Sequence, residues 1–282
     1  MTLSTTSDLV AAAADSRSCV FAFNVVTLEH AEAIAAGATA AGRPCILQLS
    51  HNSITFHRDP APIMAATIAI ARAADVPLAI HLDHITDADL ALRAAELGAS
   101  SVMFDAGALP YTENVAATAD VARRAHDAGL FVEAELGYVG GKPGSPANAH
   151  TAGVRTDPTE ATAYVAATGV DALAVAVGSS HAMTEKSASL DHALIDGLRR
   201  ATGRPLVLHG SSGVPDEQLR AAVAAGIVKI NVGTALNIAF TTALREHLAD
   251  SEKVDPRPYL GAGRTAMAAE VERLLRAVAP TG

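Results

Sequence analysis

The chain has 282 residues, half of them apolar, and a formal charge of −9 from 30 acidic against 21 basic side chains. That length, without a Pro/Gly/Ser-rich linker, points to a single domain over residues 1–282, and no basic run is present to displace phosphate counterions from a nucleic acid. Apolar runs such as Ala65 to Ala71 stop at a charge or proline well short of the roughly 20 residues a membrane span needs, so no membrane partner is expected either.

In chain order, the run Leu9 to Ala14 lacks a basic leader and is bracketed by Asp8 and Asp15. It suits a short helix capped by Thr6 or Ser7 better than a secretory signal. Short runs rich in Val, Ile and Leu then alternate with longer Ala-rich amphipathic stretches. Strands are expected at residues 20–23, 45–49, 78–82, 101–104, 131–135, 172–177, 206–208 and 227–230. Helices are expected at 28–41, 62–74, 87–97, 113–127, 158–168, 191–200, 215–224 and 234–248, several ending at a capping glycine (Gly42, Gly98, Gly129, Gly169, Gly226). Eight βα units, no GxGxxG after the first strand and a length near the usual ~250 residues predict a TIM (β/α)8 barrel with extra N- and C-terminal helices, not a doubly wound sheet. The stretch from Gly137 to Asp157 has no strand or helix pattern and follows a strand, which predicts a lid over the C-terminal face of the barrel. Cys19 and Cys45 suit buried free thiols in a reducing compartment, hence the cytoplasm.

The residues that end the expected strands are Asn24, Ser50, Asp83 with His84, Asp105, Glu135, His181, His209 and Asn231, all polar. Barrel enzymes build their sites on that face alone. Each of His84, His181 and His209 taken singly reads as a hydrogen-bonded core or loop histidine. Three imidazoles at equivalent strand ends make a site for one zinc ion with a position left open. Asp83 is placed for general acid/base work or for orienting a histidine, and Asp105 and Glu135 are further ligands or partners of the ligands. Glu133 should point inward one layer below Glu135. His81 is expected to turn away from the mouth, and His30, His57, His126, His192 and His247 to lie at the surface. Two turns, with Gly210, Ser211 and Ser212 in one and Gly233 and Thr234 in the other, offer backbone amides and hydroxyls after strands seven and eight. That is the usual phosphate position of a barrel, so a phosphorylated small molecule is the expected partner.

Further stretches carry a resemblance: Phe21-Ala22-Phe23-Asn24-Val25, His81-Leu82-Asp83-His84, Glu133-Ala134-Glu135-Leu136-Gly137, Thr156-Asp157-Pro158, Leu208-His209-Gly210 and Lys229-Ile230-Asn231-Val232. In order and spacing they resemble the class II, zinc-dependent ketose-bisphosphate aldolases, the fructose- and tagatose-bisphosphate type, over nearly the whole chain. The resemblance implies reversible cleavage of a phosphorylated ketose to a triose phosphate and an aldehyde through a metal-stabilised enediolate. It implies His84, His181 and His209 as ligands of Zn2+, with Glu135 able to touch the metal and a monovalent cation able to accompany it. Asp83 becomes the acid/base at the C4 hydroxyl and Asn231 orients the triose phosphate, while Asn24, Ser50, Gly178 and Ser211 lie along the substrate. Arg257 would reach a neighbouring subunit's site in a homodimer or homotetramer.

The family's acidic residues after Gly140-Gly141 are absent, and Gly141, Lys142 and His150 lie on the expected lid, where His150 is a candidate replacement. His181-Ala182 stands for the usual His-Gly, and Ser50-His51-Asn52 for a segment where glycine is common. These departures imply an altered donor or acceptor. Two other readings stand beside the aldolase: a non-catalytic sugar-phosphate-binding barrel, and another zinc-assisted lyase or epimerase on the same scaffold.

Overall fold

The computed structural model describes residues 3–137, 155–249 and 253–278. Its strands are β1 (Val20–Asn24), β2 (Cys45–Ser50), β3 (Leu78–Ile85), β4 (Ser101–Phe104), β5 (Phe131–Leu136), β6 (Ala172–Val175), β7 (Leu206–Leu208) and β8 (Ile227–Val232). All pair in parallel and in sequence order, and β8 closes onto β1 to complete the expected TIM barrel. The helices are α1 (Thr6–Asp15), α2 (Leu28–Ala41), α3 (His51–His57), α4 (Pro60–Ala73), α5 (Ala88–Leu92), α6 (Tyr111–Asp127), α7 (Pro158–Thr168), α8 (His192–Thr202), α9 (Asp216–Ala225), α10 (Thr234–Ala249) and α11 (Pro256–Ala277).

Local chemistry explains the boundaries. α2 starts at a capping box between Thr27 and His30 and stops at Gly42, whose φ of 65° suits a residue without Cβ. His30 is therefore buried, not a surface residue, and its ring packs on Phe240. α1 is capped by Thr5, one residue earlier than expected. α5 ends at Leu92, and 93–98 continue as turns closed by bonds such as Ala94 N–H to the Ala91 carbonyl. β6 leaves the ladder after Val175 because Thr156 takes over its edge, bonding both the amide and the carbonyl of Ala176.

The outward faces of the strands, with Phe21, Phe23, Leu47, Leu49, Ile80 and Leu82, bury against the helices in one large apolar cluster. A second cluster fills the floor of the barrel, where Leu9, Val10 and Ala13 of α1 pack on Val20, Ala22, Ile46, Ala79 and Val228. Between floor and mouth the interior is polar: Gln48, His81, Ser101, Glu133 and Lys229 are all buried. Cys19 and Cys45 are buried free thiols. Among the described residues no helix is long and apolar enough to cross a membrane. The expected lid positions Gly141, Lys142 and His150 lie outside the described residues.

α11 lies against α2 so closely that a Cβ on Gly37 would stand 2.5 Å from the Ala268 carbonyl oxygen and 2.7 Å from Val271 Cβ. In an open helix Gly→Ala stabilises by about 1 kcal/mol. Here the sign reverses: Gly37→Ala should lower the unfolding free energy by about 1–3 kcal/mol, measured in urea, because the added methyl overpacks the contact.

Candidate active site

Parallel closure brings every strand's C-terminal end to one mouth, and a cavity of about 490 Å³ opens there. Neighbouring residues of a strand point to opposite faces, yet Asp83 and His84 both line this cavity. A break in the β3–β4 register between Leu82 and Ile85, with His84 in the left-handed region at φ 51°, turns the imidazole into the mouth beside the carboxylate. His81 keeps the parity of Asp83. It points into the barrel one layer down instead of away, and its Nδ1 meets Ser101 Oγ at 2.7 Å. Burial, aided by the Lys229 ammonium, lowers its pKa to about 3, so the ring is neutral.

The three imidazoles converge. Ring centroids lie 5.2 Å apart for His84 and His181, 4.7 Å for His84 and His209, and 5.7 Å for His181 and His209. One ligating atom from each, with a carboxylate oxygen of Glu135, falls in a group whose members lie within 4.8 Å of one another. Asp105 is outside that group and accepts a bond from His84 Nδ1 at 2.9 Å, so it orients the ring. Fully buried His209 approaches Glu133 Oε1 through Nε2 at 3.0 Å and turns Nδ1 to Glu135 Oε2, 3.1 Å away, without hydrogen-bond alignment. Burial opposes a charge on this ring, but the carboxylates of Glu133 and Glu135 outweigh it and raise the pKa to about 9. A second ring proton faces Glu135 across that 3.1 Å gap, and with a metal ion in its place three nitrogens plus one oxygen form a donor set that suits zinc.

Asp83 is 3% exposed and held from two sides, by Asn231 Nδ2 donating to Oδ1 at 3.2 Å and Gln48 Nε2 donating to Oδ2 at 3.3 Å. Burial alone would raise its pKa, but His84, His209 and Lys229 bring it below the ordinary carboxylate value, so the group is ionised. Gln48 also donates to Asn24 Oδ1 at 2.5 Å. Gln48 Oε1 and Asn231 Oδ1 are buried acceptors with no hydrogen bond among the described residues, and both residues line the cavity.

On the β7–β8 side the cavity is lined by Gly210, Ser211, Ser212, Gly233 and Thr234. A Cβ on Gly210 would meet the Ser180 carbonyl at 2.5 Å, so only glycine lets the two loops touch. Ser211 Oγ donates to the Asn231 carbonyl, and Ser212 Oγ accepts from the Ala235 amide at the start of α10. Across the mouth Ser50 lines the cavity while its Oγ accepts from the Ser53 amide as the cap of α3, a helix the sequence pattern does not announce. Gly178 and Arg257 do not line the cavity. Gly178 has φ 126° and packs against the Ser189 carbonyl and the Arg155 guanidinium, whereas Arg257 pairs with Asp255 at 2.7 Å on the surface. Gln48, His51, Asn52, Thr86 and Ala182 line the cavity without having been singled out as site residues from sequence. For Gln48 the signal was present: it is a polar residue in an apolar strand, two positions below Ser50.

The class-II fructose-bisphosphate aldolase family matches residues 4–282. The chain belongs to that family. The fructose-bisphosphate aldolase of Geobacillus stearothermophilus is 38% identical over 263 residues, 92% of this chain and 91% of its own. The YdjI aldolase of Escherichia coli K12 superposes with a TM-score of 0.86 at 27% identity, over 99% of this chain and 98% of that one. A fructose-bisphosphate aldolase from Campylobacter jejuni shares the fold, with a TM-score of 0.83 at 20% identity over 98% of this chain and 95% of its own. The protein is thus an aldolase, a carbon–carbon lyase.

Asp83 depends on Gln48 for one of its two side-chain donors. Gln48→Leu keeps the volume and removes that donor. A hydrogen bond to a charged group contributes about 1.5–3 kcal/mol, so kcat/KM should fall about ten- to a hundredfold in a steady-state aldolase assay, with the circular dichroism spectrum unchanged.

Proposed function

We propose that this aldolase is zinc-dependent and cleaves a phosphorylated ketose, of the fructose- or tagatose-bisphosphate type or a related sugar phosphate, to a triose phosphate and an aldehyde. The observation that carries this reading is the meeting of His84, His181 and His209 with Glu135 in one compact group, beside an ionised Asp83. A divalent ion held by these residues would supply Lewis-acid polarisation of the ketose carbonyl.

The chain's own groups do the rest. Asp83 takes the proton from the hydroxyl on the carbon that becomes the aldehyde as the adjacent carbon–carbon bond breaks. The bond's electron pair passes to the ketose fragment, which takes up a proton at that carbon to become the triose phosphate, and condensation reverses both transfers. Gln48 and Asn231 hold its two oxygens, and the carbonyl ends of their amides accept from substrate hydroxyls. The turn at Gly210 to Ser212 and the start of α10 at Gly233 and Thr234 offer amides and a positive helix end to the phosphate. Asn24 stands beside Gly233, at the phosphate end, and Ser50 lies farther round the mouth on β2, toward the aldehyde half of the sugar.

Purified protein should contain one zinc per chain, catalyse hydrogen exchange on dihydroxyacetone phosphate and cleave fructose or tagatose 1,6-bisphosphate. Chelation should abolish both activities and added zinc should restore them. Asp83→Asn should cost about 10²–10⁴ in kcat with zinc retained, since general acid–base contributions have that size. His209→Ala should lose stoichiometric zinc. Full activity in the chelated protein, or unchanged zinc in His209→Ala, would overturn the reading.

A further inference from the structure

One buried group serves none of the roles above. Glu133 stands a layer below Glu135 on β5, is fully buried and is not part of the ligand group. Its two oxygens are each committed: Oε1 to His209 Nε2 at 3.0 Å, Oε2 to Lys229 Nζ at 2.7 Å. Lys229 is fully buried too, and its ammonium lies 3.5 Å from His81 Nε2. His81 is anchored in turn through Ser101 Oγ, which meets Thr6 Oγ1 of α1 at 2.6 Å.

A buried ion pair is a poor stabiliser. Desolvation of both charges offsets their attraction, and well-packed apolar side chains of the same volume do as well or better. Barrel interiors are ordinarily filled by such branched side chains. The pair is explained by what its free end touches.

We propose that Glu133 and Lys229 form a positioning pair that fixes the His209 ring, holding Nε2–H downward and presenting Nδ1 to the ion at the mouth. This rests on the zinc reading above. The bond from Nε2–H to Glu133 fixes both the tautomer and the rotation of the ring, and Nδ1 is left facing the ligand group. Lys229 acts at one remove. By holding one oxygen it fixes the plane of the carboxylate, so that the other stays under His209.

Glu133→Gln keeps the shape, but its amide cannot accept at both ends. It should weaken zinc binding about ten- to a hundredfold, the usual cost of losing a ligand's partner, measured by chelator competition. It should also alter the visible spectrum of the cobalt-substituted protein. Lys229→Met should weaken zinc binding as well, and the double variant should bind no more weakly than Glu133→Gln alone, because the two act on one ring. Variants that unfold more readily in urea yet keep wild-type zinc affinity and cobalt spectrum would reduce the pair to a structural role and overturn the proposal. So would additive effects of the two substitutions. A measurement on the unmutated protein guards against variants that do not fold: with 15N-histidine and 113Cd, the metal should couple to His209 Nδ1 while Nε2 keeps its proton. Coupling through Nε2 would overturn the pairing alone, leaving the metal reading intact. Failure of the wild-type protein to take up zinc or cadmium would overturn the metal reading and the pairing with it.

Discussion

Inward side chains of a closed eight-stranded barrel share one narrow column, and each strand contributes to it only at every second residue. In this chain the column is apolar at the floor, charged in the middle and polar at the mouth. The gradient lets a fully buried histidine exist: His209 has carboxylates below and beside it, and those carboxylates have a lysine and further imidazoles to balance them. Interior ions cost too much unless each has a partner with good geometry. The column holds one connected chain of polar contacts from Thr6 through Ser101, His81, Lys229 and Glu133 to His209.

The cavity divides by chemistry. One wall, from β7 and β8, presents turns, hydroxyls and the start of a helix, which suits an anion without any basic side chain. The other, from β2 and β3, presents amides, hydroxyls and His51, whose Nδ1 accepts from the Thr86 amide at 3.4 Å. Asp83, on β3, is tied to both walls, through Gln48 of β2 and Asn231 of β8. A carbon–carbon lyase has two fragments to hold, and the two walls offer them different chemistry.

Much of this was legible in the sequence because apolar runs ending in polar residues mark the C-terminal ends of strands, and parallel strands share that end. β4, β7, α2 and α7 lie where the periodicity put them. What escaped depends on geometry that a period cannot carry. The bulge at Asp83-His84 breaks alternation, so the orientation of His81 was read from the wrong neighbour. The apolar period assigns no element to residues 51–57, yet Ser50 Oγ accepts from the Ser53 amide and starts α3 there. Gln48 was missed because attention to strand ends overlooks the layer beneath them. Asp105 suits two roles by position alone, and only the His84 ring, donating to it, distinguishes them.

His84 carries a left-handed backbone on a side chain that disfavours it. For an L-residue with a Cβ that conformation costs about 1–2 kcal/mol, a cost glycine escapes. The fold therefore holds a small reserve of durability that it does not draw on while a histidine occupies position 84. Glycine at position 84 would release that cost, and the thermal resistance gained would measure what turning this ring into the mouth takes from the fold.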